Sequence, residues 1–234
     1  MSLEGKRAIV TGSTGELGIV IVRRFLEEGM KVAGTYRNPN DLSKFPEPMR
    51  SQILLIQADV TDELDVQRVF DSTIRDIARV DILVNTVGGF LPRSAITDVT
   101  SEDWDRMMKI NLKSTFLCTR EALRRMKNQP YGRIVSISAM TGLIPSPGRS
   151  AYAISKAAVS HFTEIAGQEM KGTGITVNAI APSIIDTPSN RKSMPKEDFS
   201  RWVKPENIAD VICYLCSDGA SDVTGTTLKA FGGI

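Results

Sequence analysis

The sequence predicts an α/β fold: a doubly wound parallel sheet of about seven strands, forming one domain over residues 1–234. Three observations carry this. Short apolar runs alternate with helix-period segments along the whole chain. A glycine-rich turn, Thr11-Gly12-Ser13-Thr14-Gly15-Glu16-Leu17-Gly18, stands between the first apolar run and the first helical one. Polar and glycine residues collect where the apolar runs end, at Asp59, Asn85 to Gly89, Ser138 and Pro182 to Thr187. Ligands of open α/β sheets bind beyond the carboxyl ends of the strands, so these positions form one candidate site.

Residues 7–10 form the first strand, and the helix over 19–28 stops at Gly29. In the turn between them, glycines let the backbone approach a pyrophosphate, and the helix start offers free N–H groups. The second strand, 31–35, exits through Tyr36-Arg37-Asn38. An acidic residue there would hold ribose hydroxyls; the guanidinium of Arg37 suits a 2′-phosphate instead. Residues 38–51 carry three prolines and read as an irregular connection. The third strand, 52–58, leads through Asp59-Val60 into a helix that Thr61-Asp62-Glu63 starts and that runs to Ala78. Residues 81–85 are the fourth strand. Thr100 or Ser101 caps a long helix reaching Lys127, with Asn111 as a polar residue inside its apolar period. The fifth strand is 132–138, with a loop to Ser150. A helix starts near Ala151 and ends near Lys171. The sixth strand, 175–181, leads to Pro182-Ser183-Ile184-Ile185-Asp186-Thr187. The polar segment 189–200 offers few anchors and reads as a lid or a surface loop. A helix over 205–216 and a strand over 225–230 complete the pattern.

The net charge of +2 gives no reason to expect a nucleic-acid partner. No apolar run reaches the ~20 residues of a membrane span, and the N-terminus runs straight into a strand without a signal peptide. The three cysteines, Cys118, Cys213 and Cys216, fit a reducing cytoplasm. Cys213 and Cys216 are spaced as C-x-x-C but lie within a helical pattern, so core packing is expected of them, and no metal site. His161 is expected to be a surface or satisfied histidine.

Chemistry points to the helix after Ala151. Tyr152 and Lys156 sit one turn apart on one face. An ammonium near a phenol lowers its pKa from ~10 toward neutrality, which makes Tyr152 a candidate general acid/base.

Thr11-Gly12, Asp59-Val60, Asn85-x-x-Gly88, Asn111, Tyr152-x-x-x-Lys156, Asn178-Ala179-Ile180-Ala181-Pro182 and Gly232-Gly233 occur in an order that resembles the short-chain dehydrogenase/reductase family over nearly the whole chain, with the look of 3-oxoacyl carrier-protein reductases. The resemblance implies a Rossmann-like fold and an NAD(P)-dependent oxidoreductase. It implies that Tyr152 exchanges a proton with the substrate oxygen, that Lys156 holds the nicotinamide ribose, and that Asn111 holds a water leading to solvent. It implies cofactor contacts from Gly12, Ser13, Thr14, Gly15 and Leu17 at the turn, and from Asp59 and Val60 at adenine. Asn85, Val87, Gly88, Pro182, Ile185 and Thr187 would complete that set around the nicotinamide. A homo-oligomer, tetramer or dimer, is implied through the helices of Asn111 and Tyr152.

Three residues depart from the family. Glu16 replaces a glycine and would repel phosphates unless turned to solvent. Ser183 follows Pro182 where glycine is usual and would be strained if φ there were positive. Ala139 takes the catalytic serine's place, and losing such a donor costs on the order of 3 kcal/mol. Ser138 or Thr141 is the candidate substitute. The expected function is NADP(H)-preferring interconversion of a carbonyl and an alcohol, with NAD(H) possible. A pteridine- or imine-type reductase and a weakly catalytic NADP(H)-binding protein are the alternatives.

Overall fold

The computed structural model describes residues 3–234. Strands β1 (Arg7–Thr11), β2 (Lys31–Tyr36), β3 (Ile53–Gln57), β4 (Ile82–Asn85), β5 (Gly132–Ile137), β6 (Ile175–Pro182) and β7 (Thr227–Ala230) form one parallel sheet in the order β3-β2-β1-β4-β5-β6-β7. β4, β5 and β6 are buried almost throughout because helices cover both faces of the sheet. One face packs Ile21, Val22 and Phe25 against Ile208, Ile212 and Leu215. The other packs Val66, Val69 and Phe70 with Leu117, Ala122 and Met126.

The helices are α1 (Glu16–Glu27), α2 (Glu47–Arg50), α3 (Glu63–Ile77), α4 (Ser101–Met107), α5 (Ser114–Met126), α6 (Met140–Leu143), α7 (Ser150–Glu169), α8 (Pro188–Ser193) and α9 (Pro205–Cys216). Their starts follow the sequence chemistry. Asp62 caps α3 by accepting from the Leu64 and Asp65 N–H groups, and Thr100, rather than Ser101, caps α4 through the Asp103 N–H. α9 buries Cys213 and Cys216 as free thiols; burial pushes the Cys213 thiol up to about 12, which makes it unreactive.

Three local readings are refined. The long helix over 101–127 is interrupted by a wide turn of π-helix, Met108–Lys113. There the Ser114 and Thr115 hydroxyls donate to the carbonyls of Ile110 and Asn111, and Asn111 turns fully inward. Segment 189–200 is anchored, not loose: α8 opens it, and Phe199 packs on the buried Trp202 at 4.7 Å between ring centroids. Ser183 carries no strain, because Ala78 is the one non-glycine with positive φ among the described residues; the Ser183 hydroxyl donates to Phe231 O at 2.7 Å. No described helix is long and apolar enough to cross a membrane.

Ala78 closes α3 at φ 81° and ψ −36°, a conformation its Cβ disfavours. Ala78→Gly is expected to raise unfolding stability by about 0.5–1 kcal/mol, read by denaturant titration. An unchanged or lower midpoint would show that the turn is not strained.

Candidate active site

The strand order reverses between β1 and β4, and a groove opens there at the strands' carboxyl ends. It encloses about 510 Å³, within the usual range for a ligand site. Its first wall is the glycine turn, through Gly12, Thr14, Gly15 and Leu17. Gly12 has φ +62°, and a Cβ on it would fall 2.9 Å from Val87 Cγ2. A Cβ on Gly18 would lie 2.3 Å from Gly12 O, so only glycine lets α1 start this close to the turn. No side chain caps α1, and its positive end faces the groove.

Arg37, Asp59 and Val60 form the second wall, Val87 and Gly88 the floor, and Ile185 and Thr187 the far side. Burial works against ionising Asp59, but hydrogen bonds from Thr61 and the charges of Arg37 and Lys109 outweigh it and hold the carboxyl below its ordinary value.

The Lys156 ammonium lies under the inner end of this groove. It is 6% exposed and donates to Ile137 O at 2.8 Å. A Cβ on Gly88 would come 3.1 Å from Lys156 Nζ and 2.9 Å from Asn111 Oδ1, so these three residues converge. Asn111 Oδ1 accepts from Gly89 N at 2.8 Å, and its Nδ2 donates to Ser155 Oγ at 2.9 Å. Tyr152 stands one turn earlier on α7, half-buried, with the Phe90 ring edge-on at 5.3 Å.

The family model described as short chain dehydrogenase matches residues 6–198. The chain belongs to the short-chain dehydrogenase/reductase family. It is 34% identical to the 3-oxoacyl-[acyl-carrier-protein] reductase FabG of Thermotoga maritima, over 100% of this chain and 99% of that one. Among solved structures, ElxO with NADP bound shares 29% identity and a TM-score of 0.91, with 98% of each chain covered. The 3-ketoacyl-(acyl-carrier-protein) reductase of Brucella melitensis complexed with NADH shares 28% identity and a TM-score of 0.89, with 99% of each chain covered. This short-chain dehydrogenase/reductase is thus an oxidoreductase that uses a nicotinamide cofactor. Its glycine cradle and groove fit a dinucleotide: a side chain at Gly12, Gly18 or Gly88 would collide with the groove's own atoms.

Several expected site residues do not reach the groove. Ser13 is fully buried, and both its N–H and its hydroxyl donate to Thr35 O, which ties the turn to β2. Asn85 donates to Thr119 and Ser136 hydroxyls inside the core. Pro182 is buried at the end of β6, paired with Ala230. Ser138 is corrected as a substrate donor: its hydroxyl donates to Lys156 O at 2.9 Å and meets Ser160 Oγ at 2.8 Å, facing α7. Thr141 Oγ1 is buried without a partner, and Ala139 has no donor. The expected lowering of the Tyr152 phenol is also corrected. Burial pushes it up to about 12, opposed by the Arg149 charge, while burial brings Lys156 down to about 8. The ammonium is spent on Ile137 O rather than on the phenol.

Tyr36, Thr61, Ile110, Ile137 and Asn190 line the groove without having been singled out in the sequence. Tyr36 and Thr61 adjoin Arg37 and Val60 and were within reach of the strand-exit rule. Asn190 gave no signal; α8 carries it there, and its Nδ2 donates to Ile185 O at 2.8 Å.

Glu16 also lines the groove, at its solvent-exposed edge. Oε1 accepts from Ser189 N at 3.0 Å and from Ser189 Oγ at 2.9 Å, so the carboxylate straps the glycine turn to α8. Glu16→Ala is expected to speed NADPH dissociation roughly threefold to tenfold, the effect of one to two exposed hydrogen bonds, read by stopped-flow fluorescence. An unchanged dissociation rate would show that the strap does not gate the groove.

Proposed function

We propose that this enzyme is an NADP(H)-preferring reductase that interconverts a carbonyl and an alcohol, with Tyr152 as the general acid/base. The observation that carries the reading is the placing of the phenol and ammonium one helical turn apart, where the groove floor ends at Gly88. Bound there, the cofactor supplies hydride chemistry. With its pKa raised by burial, the Tyr152 hydroxyl stays protonated through neutral pH and donates its proton to the substrate oxygen as negative charge develops. Lys156 adds positive charge beneath that point. Asn111 fixes the Gly88-Gly89 backbone, and Ser155 ties Asn111 to α7. With Ala139 at the position of the family serine, Tyr152 is left as the principal donor, which favours carbonyls that need little further polarisation.

Arg37 supports the NADP preference. It lines the groove at the exit of β2 and forms no salt bridge among the described residues, although its charge also acts on Asp59. The neighbouring Asp41 is occupied by Lys44 at 2.8 Å. We further infer association of copies through α5 and α7, which leave Phe116, Ile154 and Ile165 exposed.

Tyr152→Phe is expected to lower the rate of NADPH-dependent carbonyl reduction roughly 10²–10⁴-fold while NADPH affinity stays within about threefold. Arg37→Ala is expected to weaken NADPH roughly tenfold or more and leave NADH nearly unchanged, read by fluorescence titration. Full turnover in the tyrosine variant sinks the acid/base role. Equal losses for both cofactors sink the preference.

A further inference from the structure

A second, smaller cavity of about 190 Å³ opens beside Tyr152, apart from the dinucleotide groove. The β4–α4 loop forms one side and the first turn of α7 the other. Its charged lining is mostly cationic. Arg93 and Arg149 both contribute, one exposed and one half-buried. Each spends one N–H on a loop carbonyl: Arg93 Nη1 donates to Pro147 O, and Arg149 Nη1 to Leu91 O at 2.6 Å. Among the described residues neither has a carboxylate partner. Asp103, the acidic residue in the lining, is occupied by Arg106 at 2.6 Å. Ser150 lines the cavity as well, while its Oγ is itself buried with no hydrogen-bond partner.

Stapling two loops does not explain this arrangement. Ser94 N already donates to Gly148 O at 3.0 Å and joins the same loops without a charge. A guanidinium has five donors, so most of each fork remains for a ligand. Two such forks beside a small cavity match an oxyanion. Arg149 stacks 4.3 Å above the Phe90 ring, and Phe90 packs edge-on against Tyr152. An anion held here therefore shares one short molecule with a carbonyl at the phenol.

We propose that this cavity is the substrate's anion subsite, where Arg149 and Arg93 hold a carboxylate or phosphate carried by the carbonyl compound that Tyr152 protonates. The proposal rests on the carbonyl-reductase reading and narrows it to short, acidic carbonyl substrates.

The test compares kcat/KM for NADPH-dependent reduction within two matched pairs: acetoacetate against methyl acetoacetate, and dihydroxyacetone phosphate against dihydroxyacetone. At least one charged member is expected to exceed its neutral partner roughly tenfold to a hundredfold, and the pair that shows the gap identifies carboxylate or phosphate. Arg149→Met and Arg93→Met are expected to shrink that gap by raising KM for the charged member, and Arg149→Lys to restore part of it. Exposed Arg93 decides the matter if the Arg149 variant unfolds. Equal values within both pairs, or a variant that lowers both members alike, overturns the subsite. If no carbonyl is reduced at all, the oxidoreductase reading fails instead, and the subsite is judged by calorimetric titration of acetoacetate and of inorganic phosphate. Binding that Arg149→Met abolishes supports it; no binding to the native enzyme overturns it.

Discussion

Lys156 carries an ammonium almost out of reach of water. Removing such a charge from water costs several kcal/mol unless something replaces its hydration. Here the replacement is one carbonyl, Ile137 O, at the end of a central strand. Among the described residues no carboxylate shares the load. The helix that brings Lys156 to this spot must therefore be held firmly, and it is. Ser138 donates to the Lys156 carbonyl, and Asn111 reaches Ser155 on the same helix. A Cβ on Gly142 would lie 2.8 Å from Ala157 N, so only glycine lets α6 lie against α7. Tyr152 takes its place from this docking, as does the floor at Gly88.

The same economy of atoms shapes the groove. Gly12 and Gly18 bring α1 up to the strand ends, and Ser13 and Thr35 lock the turn to β2. A carboxylate in such a turn conflicts with phosphate binding by simple Coulomb repulsion. Glu16 stands at the exposed edge of the groove, where water screens its charge, and its Oε1 accepts from Ser189 on α8. A residue that looks adverse in the turn thus becomes a link between the glycine turn and α8.

What could be read along the chain was what depends on near neighbours. The alternation of strands and helices, the glycine turn and the Tyr152–Lys156 spacing rest on local period and composition, and the structure has them as those rules imply. What failed depends on distant packing. Ser138 and Asn85 sit at strand ends, yet which way each hydroxyl or amide turns is decided by α7 and α5. The π-turn around Asn111 leaves no mark in a pattern of apolar residues. Asn190 reaches the groove only because α8 folds back over it. The Tyr152–Lys156 spacing implies a lowered phenol pKa, whereas burial, invisible in sequence, raises it against the Arg149 charge.

The buried cation is the claim most directly open to measurement. NMR titration of the enzyme with lysine side chains isotopically labelled, assigned by loss of one signal in Lys156→Met, reports its protonation alone. Because burial depresses the group, it should lose its proton as pH rises through about 8, while exposed lysines hold theirs to the ordinary value of 10.5. A Lys156 signal that titrates with the exposed lysines would mean that the ammonium is hydrated, and that α7 does not press it into the sheet as described.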